Sequence, residues 1–246
     1  MTNTSDANGG TSSPEQDARP AIGAAPGAAD YPQYEYRLRL AGREWTIVHT
    51  GEVLTFEDEQ RFLSEGAGRA PYGAVLWPAA IALAHDLAAR GDALRGARVL
   101  ELGAGTGLPG IVAATFGAQV VQTDRNVDAM ALCEQNGARN RVPGITYRLA
   151  DWTVWNDTMQ YDYILGADIL YAEGTQPDLR RIFLANLAPG GRVLAADPFR
   201  PLSYRMLEAM AADGWSVRMA KWTITDTTSR RSRPRAIGVF ELTVRA

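Results

Sequence analysis

The sequence predicts an α/β fold: a seven-stranded, mostly parallel sheet with an antiparallel last strand, helices on both faces, and an added N-terminal β-hairpin with helices. Three observations predict it. From Arg98 onward, short apolar runs alternate with helical patterns. The first run, Val99-Leu100-Glu101-Leu102, leads straight into Gly103-Ala104-Gly105-Thr106-Gly107, a turn that opens a helix. The alternation then stops: Trp215–Thr225 and Ala236–Val244 read as two strands with no helix between them.

Each element has its own signal. Tyr34–Leu40 and Glu44–His49 alternate apolar and polar residues around Ala41-Gly42, which predicts a hairpin. Phe56–Leu63 predicts a short helix and Ala74–Arg90 a longer one, with Pro78 near its start, where a missing N–H costs nothing. Strands follow at 98–102, 118–123, 145–149, 161–167 and 191–197, and helices at 108–116, 126–140, 177–188 and 203–213. Residues 1–30 carry almost no large apolar side chains and cannot offset their ordering entropy, so a disordered tail is expected there. A hairpin and helical extension over 31–95 and a core over 96–246 complete the expected organisation.

With 246 residues, 46% of them hydrophobic, the chain is long enough for one full-sized core. It has no basic start followed by an apolar core, and no run approaches a membrane span, so a cytoplasmic protein without a membrane partner is expected. The net charge of −3 offers no global basic field, and a nucleic-acid partner is not expected. One cysteine, Cys133, excludes a disulfide within the chain; with only His49 and His85 beside it, no metal site is expected. Cys133 lies in a helical pattern and reads as a buried structural thiol, and His85 as a packed or surface residue. Lys221 stands alone against 24 arginines, a composition bias with no mechanism attached. The sequence does not set the oligomeric state.

The glycine turn is a cofactor loop with two possible tenants. The glycines let the backbone turn sharply beside a ligand, and Glu101 adds an acid at the strand end, where a bound cofactor can present a donor. That suits a nucleoside with an amino-acid tail, S-adenosylmethionine (SAM). Gly105-Thr106-Gly107-Leu108-Pro109-Gly110 equally satisfies the G-x-G-x-x-G of dinucleotide binding. Asp124, after Val120-Val121, would accept hydrogen bonds from a ribose diol in either case. The terminal hairpin favours SAM, because class I methyltransferases end on an antiparallel strand, and no separate substrate domain is expected after it.

Four separated segments resemble one family, the seven-strand protein lysine methyltransferases with a D-x-x-Y signature, which act on chaperones, AAA ATPases and electron-transfer flavoprotein. They are Tyr72-Gly73-Ala74-Val75-Leu76-Trp77-Pro78, the run from Leu100 to Gly110, Asp151-Trp152, and Gly166-Ala167-Asp168-Ile169-Leu170-Tyr171. Together they span roughly residues 70–200. The resemblance implies that the amides of Gly103, Ala104 and Gly105, with Gly107 at the following helix start, face the methionine portion of SAM. It implies Asp124 on the ribose, Trp152 on adenine, Asp151 on its exocyclic amine, Ala167 beneath the sulfonium and Trp77 near the methionine tail.

Asp168 and Tyr171 are the implied catalytic pair. Methyl transfer needs an amine lone pair aligned with the methyl carbon, in a site that excludes water. A lysine has an ordinary pKa near 10.4 and must first lose a proton. A carboxylate beside it opposes that loss, so Asp168 is assigned to orienting the amine by hydrogen bonding and not to strong-base chemistry. Tyr171 adds an aromatic wall and a hydroxyl. The acceptor is expected to be a lysine of a partner protein; the alternatives are a small-molecule amine or hydroxyl, a non-catalytic SAM-binding scaffold, and an NAD enzyme. Phe199 and Arg200 edge the pocket without an assigned role, and Ser229-Arg230-Arg231-Ser232-Arg233-Pro234-Arg235 reads as a solvated basic loop, with attraction of an acidic partner surface as the alternative.

Overall fold

The computed structural model describes residues 32–51, 72–224 and 234–245. The tail expected over 1–30, the helix expected over 56–63 and the basic run 229–233 lie outside the described residues.

The N-terminal hairpin pairs β1 (Tyr34–Leu40) with β2 (Arg43–His49), Leu40 opposite Arg43. Its two turn residues, Ala41 and Gly42, have φ +49° and +74°, the left-handed pair that suits the twist of a two-residue hairpin. Seven further strands form one sheet: β3 (Arg98–Leu102), β4 (Gln119–Asp124), β5 (Ile145–Leu149), β6 (Tyr161–Ala167), β7 (Leu187–Asp197), β8 (Trp215–Ile224) and β9 (Arg235–Val244). Their order is β5-β4-β3-β6-β7-β9-β8. Strands β3 to β7 pair in parallel, and β9 runs antiparallel to both β7 and β8. The sheet therefore grows outward from β3 to β5 and restarts on the other side at β6. In open α/β sheets that reversal opens a crevice at the carboxyl ends of the strands, where ligands bind.

Side-chain alternation along the strands divides the core in two. Val99, Val120, Leu165 and Leu194 pack with α1 (Pro78–Arg90), α2 (Leu108–Thr115) and the hairpin residues Trp45 and Ile47. Leu100, Ile164, Val193 and Leu242 face α4 (Gln176–Asn186) and α5 (Pro201–Ala212). Helix α3 (Val127–Arg139) carries the hairpin. Its Asn136 side chain accepts from Val48 N–H at 2.7 Å and donates to Val48 C=O at 2.9 Å, and Asn140 accepts from Thr46 N–H. Cys133 is buried on the same helix, its thiol donating to Gln122 Oε1 at 3.3 Å. His85 is half-buried against the Trp222 ring.

Two boundaries differ from expectation by four residues. The helix expected from Ala74 starts at Pro78, because a residue before proline is driven to extended backbone; Trp77 has φ −98° and ψ 143°, and Tyr72–Ala74 forms a separate 3₁₀ turn. The helix expected to run to 188 stops at Asn186, and the strand expected at 191 begins at Leu187. Pro189 disfavours a helical Ala188, so the chain joins the sheet at once. A register irregularity between the Tyr161↔Leu187 and Tyr163↔Arg192 pairs then absorbs the extra residues. Among the described residues no helix is long and apolar enough to cross a membrane.

Candidate active site

The turn after β3 sits at the reversal of the sheet. Gly103, Gly105 and Gly107 have φ +65°, +55° and +80°, so each needs the backbone freedom of glycine. Two of the amides implied to face a cofactor are engaged within the protein: Ala104 N–H donates to Thr123 C=O at 2.9 Å, and Gly105 N–H to Asp124 Oδ2 at 3.0 Å. Gly107 N–H closes the turn on Ala104 C=O.

Glu101 lies behind this turn and not over it. It is 1% exposed, and its Oε2 accepts from Gly110 N–H at 3.0 Å and Gln122 Nε2 at 2.6 Å. Burial raises its pKa to about 7; the Gln122 and Gly110 hydrogen bonds oppose that rise, and the Asp124 charge adds to it. In the structure its carboxylate binds the loop to the first turn of α2 and to β4.

Asp124 ends β4 with both oxygens accepting backbone N–H groups, Oδ2 from Gly105 and Oδ1 from Asn126. Burial raises its pKa, against the pull of those amides. Gly73 crosses directly above: a Cβ there would come within 2.6 Å of the Ala129 Cβ and 3.7 Å of Asp124 Oδ2. A Cβ on Gly105 would in turn meet the Gly73 carbonyl oxygen at 3.0 Å. The 3₁₀ turn at 72–74 thus roofs the loop, and Trp77 follows it, half-buried at the start of α1.

Asp151 and Trp152 follow β5. Asp151 is exposed and accepts from Thr153 N–H and Oγ1, capping the short turn Trp152–Val154; these bonds lower its pKa. The half-buried Trp152 ring reaches Gly103, where a Cβ would lie 3.5 Å from Cζ2 and 3.1 Å from Ile169 Cγ2.

Ile169 joins this cradle to a second cluster, because its chain neighbour is Asp168. Ala167 ends β6 opposite Ala196, and Asp168 follows with φ +54°, its N–H donating to Ala196 C=O at 2.8 Å. A left-handed backbone outside glycine is uncommon and stores local strain. The Asp168 side chain is 7% exposed and held bidentately by Arg200: Nε to Oδ1 and a terminal nitrogen to Oδ2, both at 2.7 Å. The Arg200 guanidinium carbon lies 5.7 Å from the centroid of the Tyr171 ring, and Tyr171 itself is 51% exposed. Beneath, Asp197 accepts from Arg200 N–H and Ser203 Oγ. Burial raises its pKa, the neighbouring Asp168 charge adds to the rise, and the two hydrogen bonds oppose it. Phe199, with φ +67°, stacks on Tyr204 at the rim.

The structure thus gathers Gly103, Gly105, Asp124 and Trp152 into one cradle, and Asp168, Tyr171 and Arg200 beside it. No local sequence pattern marks Arg200 for this place, although it follows β7 as Asp168 follows the adjacent β6. Among the described residues, no cluster of His, Cys, Asp and Glu side chains is arranged to hold a metal ion.

The groups of the cradle fit a nucleoside carrying an amino-acid tail: a buried acid for a diol, an aromatic ring across the loop, and a glycine turn that lets backbone and ring approach closely. Comparison with known proteins agrees with that chemistry. The chain is 45% identical over 117 residues to the protein N-lysine methyltransferase METTL21A of Xenopus tropicalis, covering 45% of this chain and 54% of that protein. It is 31% identical over 159 residues to the histone-arginine methyltransferase METTL23 of Xenopus laevis, covering 62% of this chain and 61% of that protein. The chain spans about half the length of the METTL21A relatives it matches. Among solved structures, the 16S rRNA N2 G1207 methyltransferase RsmC of T. thermophilus shares the fold, with a TM-score of 0.57 and 20% identity over 87% of this chain and 51% of that one. A family model described as lysine methyltransferase matches residues 57–201, and the chain belongs to that family.

Proposed function

We propose that the protein is a SAM-dependent N-methyltransferase that methylates a lysine side chain of a partner protein. One observation carries this reading: Ile169 packs against the glycine loop while its neighbour Asp168, paired with Arg200 beside Tyr171, holds a carboxylate able to orient an acceptor amine, so a cofactor cradle and an acceptor site adjoin at the sheet reversal. Membership of the lysine methyltransferase family supports it. So do the antiparallel β9 and the strand order, which favour SAM over the dinucleotide that the loop alone leaves open.

Bound SAM supplies a methyl group on a positively charged sulfur. Asp124 would accept from its ribose diol, Trp152 would cover its base, and the Gly103–Gly107 turn would line its amino-acid tail. Asp168 has lone-pair capacity left after Arg200 and accepts one N–H of the incoming amine, fixing the direction of the nitrogen lone pair. Tyr171 flanks the aliphatic stem of the acceptor and helps keep water out. A lysine ammonium has no free lone pair, so the acceptor reacts as the free amine.

A second reading has one specific observation behind it. The chain is also similar to the histone-arginine methyltransferase METTL23, which makes an arginine acceptor the alternative; such an acceptor would require Arg200 to give up its bidentate hold on Asp168. Incubation with radiolabelled SAM and lysate of the host separates the readings. Label in a discrete protein band, recovered as methyl-lysine on hydrolysis, is the expected result. Methyl-arginine would favour the second reading, and label confined to small molecules would overturn both. Calorimetry showing binding of NAD and not of SAM would end the methyltransferase reading.

A further inference from the structure

We propose that Arg200 is the resident counter-ion of Asp168, cancelling its charge so that the acceptor site takes an amine as the free base rather than as the ammonium ion. This rests on the methyltransferase reading and concerns the charge state in which that site receives its acceptor.

A lone buried carboxylate prefers a cation. It would bind a lysine as ammonium and raise its pKa, holding in place the proton that blocks attack. The structure does not leave Asp168 in that state. Both its oxygens receive charge-assisted bonds from Arg200 at 2.7 Å, the geometry of a fork-to-fork pair. An arginine guanidinium stays protonated in proteins. Its backbone is anchored too: Arg200 N–H donates to Asp197 Oδ1 at 2.6 Å, and its carbonyl accepts from Tyr204 in the first turn of α5.

The other groups around Asp168 leave this balance in place. Asp197 is 1% exposed and turned into the start of α5, accepting from Ser203 Oγ and Arg200 N–H, where a helix N-terminus offsets negative charge. Tyr171 presents its ring to the guanidinium. Each carboxylate oxygen of Asp168 has a second lone pair, so a neutral amine can still donate one N–H to it. An ammonium ion would have to displace a tethered guanidinium or share a carboxylate with it, and like charges at one site disfavour binding.

The test compares ethylamine, charged near neutral pH, with trifluoroethylamine, uncharged there, each titrated by NMR into protein saturated with S-adenosylhomocysteine. The wild type is expected to bind the uncharged amine at least about tenfold more tightly. Arg200→Gln is expected to move the ratio by about tenfold or more towards the charged amine, whereas Arg200→Lys, which restores a cation, keeps the wild-type order. The change between variants cancels any intrinsic preference for the fluorinated group. A wild type that prefers the charged amine overturns the proposal, even if Arg200→Gln does not fold. So does the same ratio in wild type and Arg200→Gln. Failure of S-adenosylhomocysteine to bind at all would instead overturn the methyltransferase reading.

Discussion

Replacing Glu101 by glutamine is expected to stabilise the protein at alkaline pH and much less at acid pH. In the unfolded chain this carboxyl ionises near 4.5, whereas burial in the folded protein raises its pKa to about 7. Between those values the unfolded state has already released the proton that the folded state keeps. Stability therefore falls as pH rises through this window and levels off above it. At about 1.36 kcal/mol per pH unit, the loss is on the order of 3 kcal/mol. A glutamine oxygen can still accept from Gly110 N–H and Gln122 Nε2, the two bonds made by Glu101 Oε2, and it never ionises. Urea unfolding followed by tryptophan fluorescence at about pH 5 and pH 8 reads the difference. The variant should gain roughly 2–3 kcal/mol on the wild type between the two, with no change in the urea slope. A difference between variant and wild type that is the same at both pH values would refute the reasoning, since only the titration of Glu101 separates the two proteins.

Other substitutions test the remaining parts of the site and its frame. Gly107→Ala forces a left-handed alanine whose Cβ lies 2.5 Å from Cys133 Sγ, and should cost about 2–4 kcal/mol in thermal unfolding; adding Cys133→Ala should recover part of it. Leu83→Ala empties a fully buried position on α1 and should cost about 2–5 kcal/mol by urea titration. Asn136→Ala removes the acceptor of Val48 N–H and the donor to the Val48 and Thr106 carbonyls, at a cost of about 2–4 kcal/mol by the same measurement. Asp168→Asn should leave SAM affinity in calorimetry unchanged, because the side chain lies outside the cradle, while slowing turnover by about 100-fold or more. Loss of SAM binding in that variant would show that Asp168 belongs to the cradle.

Local signals made much of this structure legible in the sequence. Alternation along β6 separates Ile164 from Leu165, which is how the two cores divide, and glycine spacing marks the turns at φ +65°, +55° and +80°. The ion pair of Asp168 and Arg200 is different in kind. The partners are 32 positions apart, and no periodicity connects them. They meet because β6 and β7 are parallel neighbours with Ala167 opposite Ala196, which carries whatever follows each strand to the same edge of the sheet. The burial of Glu101 is hidden from the sequence for a similar reason. Its place at a strand end suggests exposure to a ligand, yet Gln122 on the neighbouring strand and Gly110 on α2 draw it inward. The early end of α4 was legible, since Pro189 was there to be weighed against the helical pattern.

The carboxamide of Asn136 has a consequence beyond its own energy. Its one Nδ2 donates to Val48 on the hairpin and to Thr106 in the glycine turn, both at 2.9 Å. Two segments that are remote in sequence therefore share a single fastening, and neither can swing away without loosening the other. Local opening in such an arrangement proceeds as one cooperative step. Because both are held this way in the folded chain, the entropy of ordering turn and hairpin is lost when the chain folds and not when a ligand arrives. The hairpin is in this sense a brace for the crevice, although it lies outside the seven-stranded sheet.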